Sequence, residues 1–564
     1  MLKNQYFSCF ALFLLADLVY NKGMENKLSR EQLNNLDPGI VVEMFLQLQE
    51  YNEKLYAELS RLTQKVEILT EQLAIANARA FGRKSEKNLI SPDEGQMNFF
   101  NEFEAEIEGK TMTEPELEEV LVAAHKRKKK KGKLDEDLSA FPAKEILHEL
   151  SEDALAAEFP DGYNRLPDEV YRKLEIHPAT FEVLEHHIAV YKDKKGEKIL
   201  KAPHPAEMLD KSIATPSIAA AIINSKYVNH QPLYRQEQAF ASMDLNLSRQ
   251  TMANWVITVS ERYLSLLYDR MKEYLLKSPV VHADETPVVV VKDGREGMHK
   301  NYMWVYRTGD MCKVKPVIVY DYQRTRKAGA AEEFLEGFKG KLVCDGYQVY
   351  HTLENKSEGE ITVAGCWVHA RRPFAEIIKS LGKDKAIGTV AYEAVAQIAN
   401  IYQVDNTLKD LPPALRKKRR KQSVEPLVDA FFKWAKACNM TVAPSSKTGK
   451  ALAYCINQEK YLRTFLTDPA VPLDNNIAEQ AIRGFCVGKK NWQIIDTMRG
   501  ADASAMLYSI VETARANNLK CYEYIKYLLT EIPKHMDDKN LDFLEDLLPW
   551  SKKIPEECKK KILK

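Results

Sequence analysis

Residues 280–291 read VVHADETPVVVV, an apolar and mostly β-branched run with two adjacent carboxylates, Asp284 and Glu285, near its centre. Such a run predicts a buried strand. Charge inside a buried strand is costly unless it is paired or holds a metal. Successive side chains alternate across a strand, so Asp284 and Glu285 should face opposite ways. One of them can serve a site while the other serves the packing.

The stretches that follow give that strand its neighbours. NYMWVYRTG (301–309) and KPVIVYDYQ (315–323) read as two more strands able to pair as a meander. RKAGAAEEFLEGF (326–338) is helical, GKLVCDGYQVY (340–350) opens as a strand, and ITVAGCWVHARRPFAEIIKS (361–380) supplies a strand and then a helix. This order predicts an α/β core with a mixed five-stranded sheet. Residues 381–470 turn helical, including the basic LRKKRRK (415–421), and read as an all-α insertion. LDNNIAEQAIRGF (473–485) then opens another large helix, and residues 501–564 form a helical C-terminal region.

Upstream, residues 211–277 read as several short helices. Within them QEQAFASMDLNLSRQTMANWV (236–256) has helix-turn-helix form, with Ser248 as the N-cap of the second helix. Arg249, Gln250 and Asn254 would face outward, as a recognition helix requires. FEVLEHHIAVYKD (181–193) reads as a strand in a small module over 141–210. Residues 89–140 run from acidic (Glu102 to Glu119) to basic (HKRKKKKGK, 125–133), the composition of a charged flexible linker. Over residues 24–88, Val41, Phe45, Leu48, Asn52, Leu55, Leu59, Leu62, Val66, Leu69 and Leu73 recur in steps of three and four. That is a heptad seam, and it predicts a coiled coil and a homo-oligomer. Residues 1–23 contain an apolar stretch interrupted by Asp17, too short to span a bilayer, and read as an over-extended start ahead of Met24.

The whole chain of 564 residues carries a net charge of only +1, so the overall balance names no partner. Its nine cysteines include no CxxC pair, which fits reduced thiols and the cytoplasm. Cys366 and His369 lack a second ligand pair, so zinc is not expected.

Three acids stand where a carboxylate needs a reason: Asp284 in the first strand, Asp345 closing the fourth, and Glu479 one turn into its helix. If the first and fourth strands are neighbours, Asp284 and Asp345 meet, and a helix across that edge adds Glu479. Oxygen-only ligands suit Mg²⁺ or Mn²⁺, and two such ions suit in-line phosphoryl displacement. Taken singly, each acid has an ordinary structural alternative: a strand end, an Asp-Gly turn, or a Glu479–Arg483 pair along a helix.

In order, HADETP, CDGY, GCWVHARRPF, LDNNIAEQAIR and VGKKNWQ resemble the signature blocks of the insertion-sequence-66 family of bacterial transposases. FGRKSEK (81–87) and SKYVNHQPLYRQEQAF (225–240) are similar to that family too, so the resemblance runs over most of the chain. It implies an RNase H-like catalytic core split between 278–380 and 471–500 by the insertion, with Asp284, Asp345 and Glu479 as an Asp-Asp-Glu triad on two Mg²⁺ or Mn²⁺ ions. It also implies phosphate contacts from His369, Arg371, Arg372, Arg483, Lys489 and Lys490. The implied partners are transposon-end DNA, target DNA and accessory proteins of the same element, with no membrane involved. Family members often carry a cysteine-rich zinc segment where residues 145–205 of this chain have no cysteine. The competing readings are a nuclease of the same fold without strand transfer, and a catalytically silent or domesticated DNA-binding protein.

Overall fold

The computed structural model describes residues 37–81, 181–192, 199–202, 207–297 and 299–560. The expected leader (1–23), the charged linker (89–140) and much of the 141–210 module lie outside the described residues. The chain divides into two compact units, one spanning 108–205 and the other 1–107 with 206–564. In the smaller unit the described residues hold one antiparallel ladder, β1 (Val190–Lys192) with β2 (Ile199–Lys201).

In the larger unit, helix α1 (Pro38–Phe81) carries the predicted seam. Phe45, Leu48, Leu55, Leu59, Leu62, Val66, Leu69 and Leu73 are all exposed on it. Four helices then follow: α2 (Pro216–Ile223), α3 (Leu233–Ala241), α4 (Arg249–Val259) and α5 (Ser265–Leu276). Helices α3 and α4 pack together across the predicted turn. Ser248 Oγ accepts from Thr251 N at 3.1 Å, which supplies the N-cap of α4.

The sheet is mixed, in the order β5-β4-β3-β6-β7. Its members are β3 (Val280–Lys292), β4 (Lys300–Thr308), β5 (Ile318–Gln323), β6 (Gly340–Cys344) and β7 (Ile361–Gly365). Strands β3, β4 and β5 form the antiparallel meander, while β6 and β7 join β3 in parallel. Helix α6 (Ala328–Phe334) precedes β6, and α7 (Gln348–Lys356) links β6 to β7. A short strand absent from the sequence reading, β8 (Ile495–Thr497), pairs with the far end of β3 through Val290 and Lys292. Strand β6 pairs with β3 only through Val280–His282 and β8 only through Val290 and Lys292, so neither ladder reaches the middle of β3.

Helix α8 (Trp367–Leu381) and the insertion helices α9 (Val390–Asn406), α11 (Glu425–Thr441) and α12 (Lys447–Asn457) share one apolar core, and α10 (Pro413–Arg419) lies between α9 and α11 in sequence. The basic LRKKRRK run is only partly a solvated face. Arg420 is fully buried, bonds Asp405 at 2.7 and 2.9 Å, and donates to the carbonyls of Phe465 and Val471. Arg416 is also buried and donates to the Leu408 and Pro469 carbonyls.

Helix α13 (Asn476–Trp492) lies across β3 and β4, and α14 (Met498–Ala516) along β5. The β5 backbone would otherwise present an open edge. Thr513 and Ser509 of α14 bond the Ile318 and Tyr320 amides at 2.9 and 2.7 Å, which closes it. Helix α15 (Cys521–Glu531) packs against α2. No helix among the described residues is long and apolar enough to cross a membrane.

Candidate active site

The β3–β6 register pairs His282 with Val343. Two residues further along each parallel strand, Asp284 and Asp345 fall on the same side by the alternation of strand side chains. Asp345 stands at the turn after β6, where its Oδ1 accepts from the Tyr347 amide at 2.9 Å. Glu479 lies in the first turn of α13, the helix that crosses β3 on this side. Asp284 is partly buried, and its Oδ1 accepts from the Glu285 amide at 2.9 Å.

Burial first, then the negative charges of Glu285, Glu479 and Asp345, push the Asp284 carboxyl up to about 8. A carboxylate crowded in this way gains from any cation placed among its neighbours. The donors are all oxygen, the set that suits a hard divalent ion. Even so, no three His, Cys, Asp or Glu among the described residues are gathered into a ready-made cage.

Glu479 faces the cations of α8 instead. Arg372 Nη2 lies 3.4 Å from both of its carboxylate oxygens, and His369 Nε2 lies 3.6 Å from Oε1. Burial, and then Arg372, hold the His369 imidazole below its ordinary value, against the opposing pull of Glu479 and Asp345. Arg371, on the same turn of α8, is buried.

Glu285 takes the other role. Its carboxylate accepts from Tyr350 OH at 2.7 Å and from Arg326 Nε at 2.8 Å. The Arg326 guanidinium also lies 3.7 Å over the Tyr347 ring, and Tyr347 OH donates to the Arg326 carbonyl at 3.0 Å. Glu285 therefore ties β3 to the turn that presents Asp345.

The remaining expected DNA-contact residues are spread more widely. Arg249, Gln250 and Asn254 are exposed along α4, and the Arg249 guanidinium lies 5.5 Å over the Tyr234 ring. Arg483 is half-buried and Lys490 exposed on α13. The Lys489 ammonium is taken up by the protein itself, donating to the Pro287 carbonyl at 2.7 Å. Trp492 packs edge-on to Tyr227 with ring centres 6.5 Å apart, so it belongs to the packing between α13 and the α2 region.

Three further residues join this arrangement. Asn475 occupies the N-cap position of α13, yet its side chain makes no cap bond. It spans instead to His282 Nδ1 and to the Ala283 carbonyl, each at 2.8 Å. Tyr454, from the insertion helix α12, presses its ring on Gly346 beside Asp345. Asn475 lies in the LDNNIAEQAIR stretch four residues before Glu479, and His282 stands two residues from Asp284 on its face, whereas Tyr454 carries no sequence signal.

Comparison with known proteins places this arrangement in a lineage. The model described as "Transposase IS66 family" matches residues 211–503. The chain belongs to the IS66 transposase family. In this IS66-family chain the matched segment holds α2–α5, the whole sheet, the insertion and α13, and so all three acids. "IS66 C-terminal element" matches 509–550, and "Transposase C of IS166 homeodomain" matches 68–140. The latter match begins within α1 and continues through the charged stretch. Similar proteins include the uncharacterized protein y4jD of Sinorhizobium fredii, 28% identical over 401 residues, which are 70% of this chain and 77% of that one. The uncharacterized protein y4qI of the same organism is 25% identical over 515 residues, 88% of this chain and 92% of its own.

Proposed function

We propose that this chain binds the ends of its insertion sequence, cleaves phosphodiester bonds there, and joins the resulting 3′ ends to target DNA. The observation that carries the reading is the placement of Asp284, partly buried two residues beyond the His282–Val343 pair of β3 and β6, with Glu479 on the α13 helix that packs on β3 and 3.4 Å from Arg372 of α8. The sheet order, three antiparallel strands followed by two parallel ones, supports an RNase H-like core.

Asp284, Asp345 and Glu479 would hold two Mg²⁺ or Mn²⁺ ions. When bound, such ions activate the attacking water or 3′ hydroxyl and stabilise the leaving oxygen. The chain's own groups do the rest. Arg372 and His369 meet the phosphates flanking the scissile bond, and Arg372 releases part of its hold on Glu479 as it does so. Arg249, Gln250 and Asn254 on α4 read the end sequence in the major groove. Arg371, Arg483 and Lys490 add charge along the path of the backbone. The α1 seam pairs copies of the chain, so that two ends are handled together, and accessory proteins of the element join that assembly.

Incubating the protein with labelled element ends, a target plasmid and Mg²⁺ tests the reading. Joined products are expected. Nicked ends that never join would reduce the activity to that of a nuclease, and bound but uncut ends would leave only DNA binding.

A further inference from the structure

Between its pairings with β6 and β8, strand β3 carries Asp284, and helix α13 carries Glu479. These two elements are separated in sequence by the whole insertion, so chain connectivity does little to hold their spacing. What bridges them is one buried amide. Asn475 is 1% exposed, and its Nδ2 donates to the Ala283 carbonyl at 2.8 Å. That bond fixes which way the amide points, so Oδ1 must face His282 Nδ1, also at 2.8 Å. An amide oxygen only accepts, and the fully buried His282 is therefore protonated on Nδ1. The Asn475 backbone amide in turn points at Cys366 Sγ, 3.3 Å away, at the start of α8. At the other end of α13, Lys489 donates to the Pro287 carbonyl at 2.7 Å.

We infer that Asn475 and His282 form a positioning pair that sets Glu479 against Asp284, with Asn475 acting as the joint between β3, α8 and α13. The inference rests on the reading of Asp284 and Glu479 as partners at one site. Neither residue touches DNA. Asn475 stands one helical turn before Glu479, and His282 stands one same-face position before Asp284. The bonds between them join the two carriers within a turn of both acids. Ala283 pairs with Tyr306 of β4 but lies beyond the end of the β6 ladder, and its carbonyl receives the Asn475 amide. A cap residue turned outward to solvent would do none of this, which separates the pair from an ordinary helix start.

His282→Leu and His282→Asn separate positioning from packing. Leucine keeps the apolar volume and removes the bond. Asparagine loses volume but can place a donor near the former Nδ1. We would measure thermal unfolding, Mn²⁺ binding by electron paramagnetic resonance, and the kcat and KM of end cleavage. Positioning predicts that His282→Leu folds, yet binds Mn²⁺ about 10- to 100-fold more weakly and loses kcat by a similar factor, as is usual for second-tier ligand supports. KM for DNA should hold, and His282→Asn should recover most of both losses. Asn475→Ala should repeat the leucine result. If His282→Leu keeps wild-type Mn²⁺ affinity and kcat, or if His282→Asn is the worse of the two, the pair only fills space and the inference fails. Asp284→Ala, run alongside, keeps the two ideas apart. Full cleavage by that variant overturns the site itself. Loss of cleavage there, with His282→Leu unaffected, overturns only the pair.

Discussion

Gly346, in the turn after Asp345, lies directly against the ring of Tyr454 from the insertion. A β-carbon at Gly346 would sit 2.9 Å from Tyr454 Cε2 and 3.0 Å from Cζ, and closer still to the hydroxyl. The glycine of the CDGY stretch leaves room for the Tyr454 ring, and its φ is not among the positive ones. The insertion is also more than a spacer, because it packs on the turn that holds Asp345, an acid of the proposed site.

Gly346→Ala should therefore move either the tyrosine or the Asp345 turn. We expect a stability loss of about 1–3 kcal/mol, typical of overpacking, together with weaker cleavage. Adding Tyr454→Ala should restore much of the cleavage. Denaturant melts and end-cleavage rates for the single and double variants check this. Equal losses in both would remove Tyr454 from the explanation.

Inside the insertion, Arg420 and Asp405 are a buried pair whose remaining donors go to carbonyls. Arg420→Ala strands the Asp405 charge and should cost about 3–5 kcal/mol. Replacing both, as Arg420→Met with Asp405→Leu, should cost less than the single change. Surface screening by salt should leave the Arg420→Ala loss nearly unchanged, which thermal melts at low and high salt will show.

Stability should fall as pH rises from about 4 towards neutrality. Burial first, with Glu333 and Asp502 adding, pushes Asp321 up from an ordinary 3.8 to about 7, against Gln323 and Lys272. Burial and Glu261 push Asp502 to about 6. For an acid raised in the folded state, the proton is bound more tightly folded than unfolded. Its contribution is full below the ordinary value and is lost as pH passes the raised one. Melting temperature should therefore decline between roughly pH 4 and 7. Asp321→Asn should flatten part of that decline and be the more stable protein at pH 8.

The apolar seam of α1 is exposed, with Leu55 and Leu62 each half accessible. Paired Leu55→Lys and Leu62→Lys substitutions place charge in the seam and should dissociate the oligomer. Light scattering across a concentration series reads this directly. An unchanged mass would mean the copies meet elsewhere, or not at all.

What the sequence made legible was periodic or local. The β-branched run over 280–291 marked the strand, strand alternation separated Asp284 from Glu285, and Ser248 announced the start of α4. What stayed hidden depends on partners far along the chain. Asn475 looks like a helix cap because Asx residues favour that position, yet its partners lie 193 and 192 residues away. Nothing in LRKKRRK sets Arg416 and Arg420 apart from the neighbouring cations, because the carbonyls they satisfy belong to Phe465 and the segment around Leu408. Strand β8 was missed for another reason: three residues carry no period, and only the far end of β3 makes them a strand.

The central claim is that Asp284, Asp345 and Glu479 act as one site. It is tested most directly by incubating element ends with Mg²⁺ or Mn²⁺ and the wild type, Asp284→Ala, Asp345→Ala or Glu479→Ala, with end binding measured in parallel. The account predicts that all three variants bind the ends like the wild type and cut none of them. Metal-dependent cutting by any variant at the wild-type rate would contradict it.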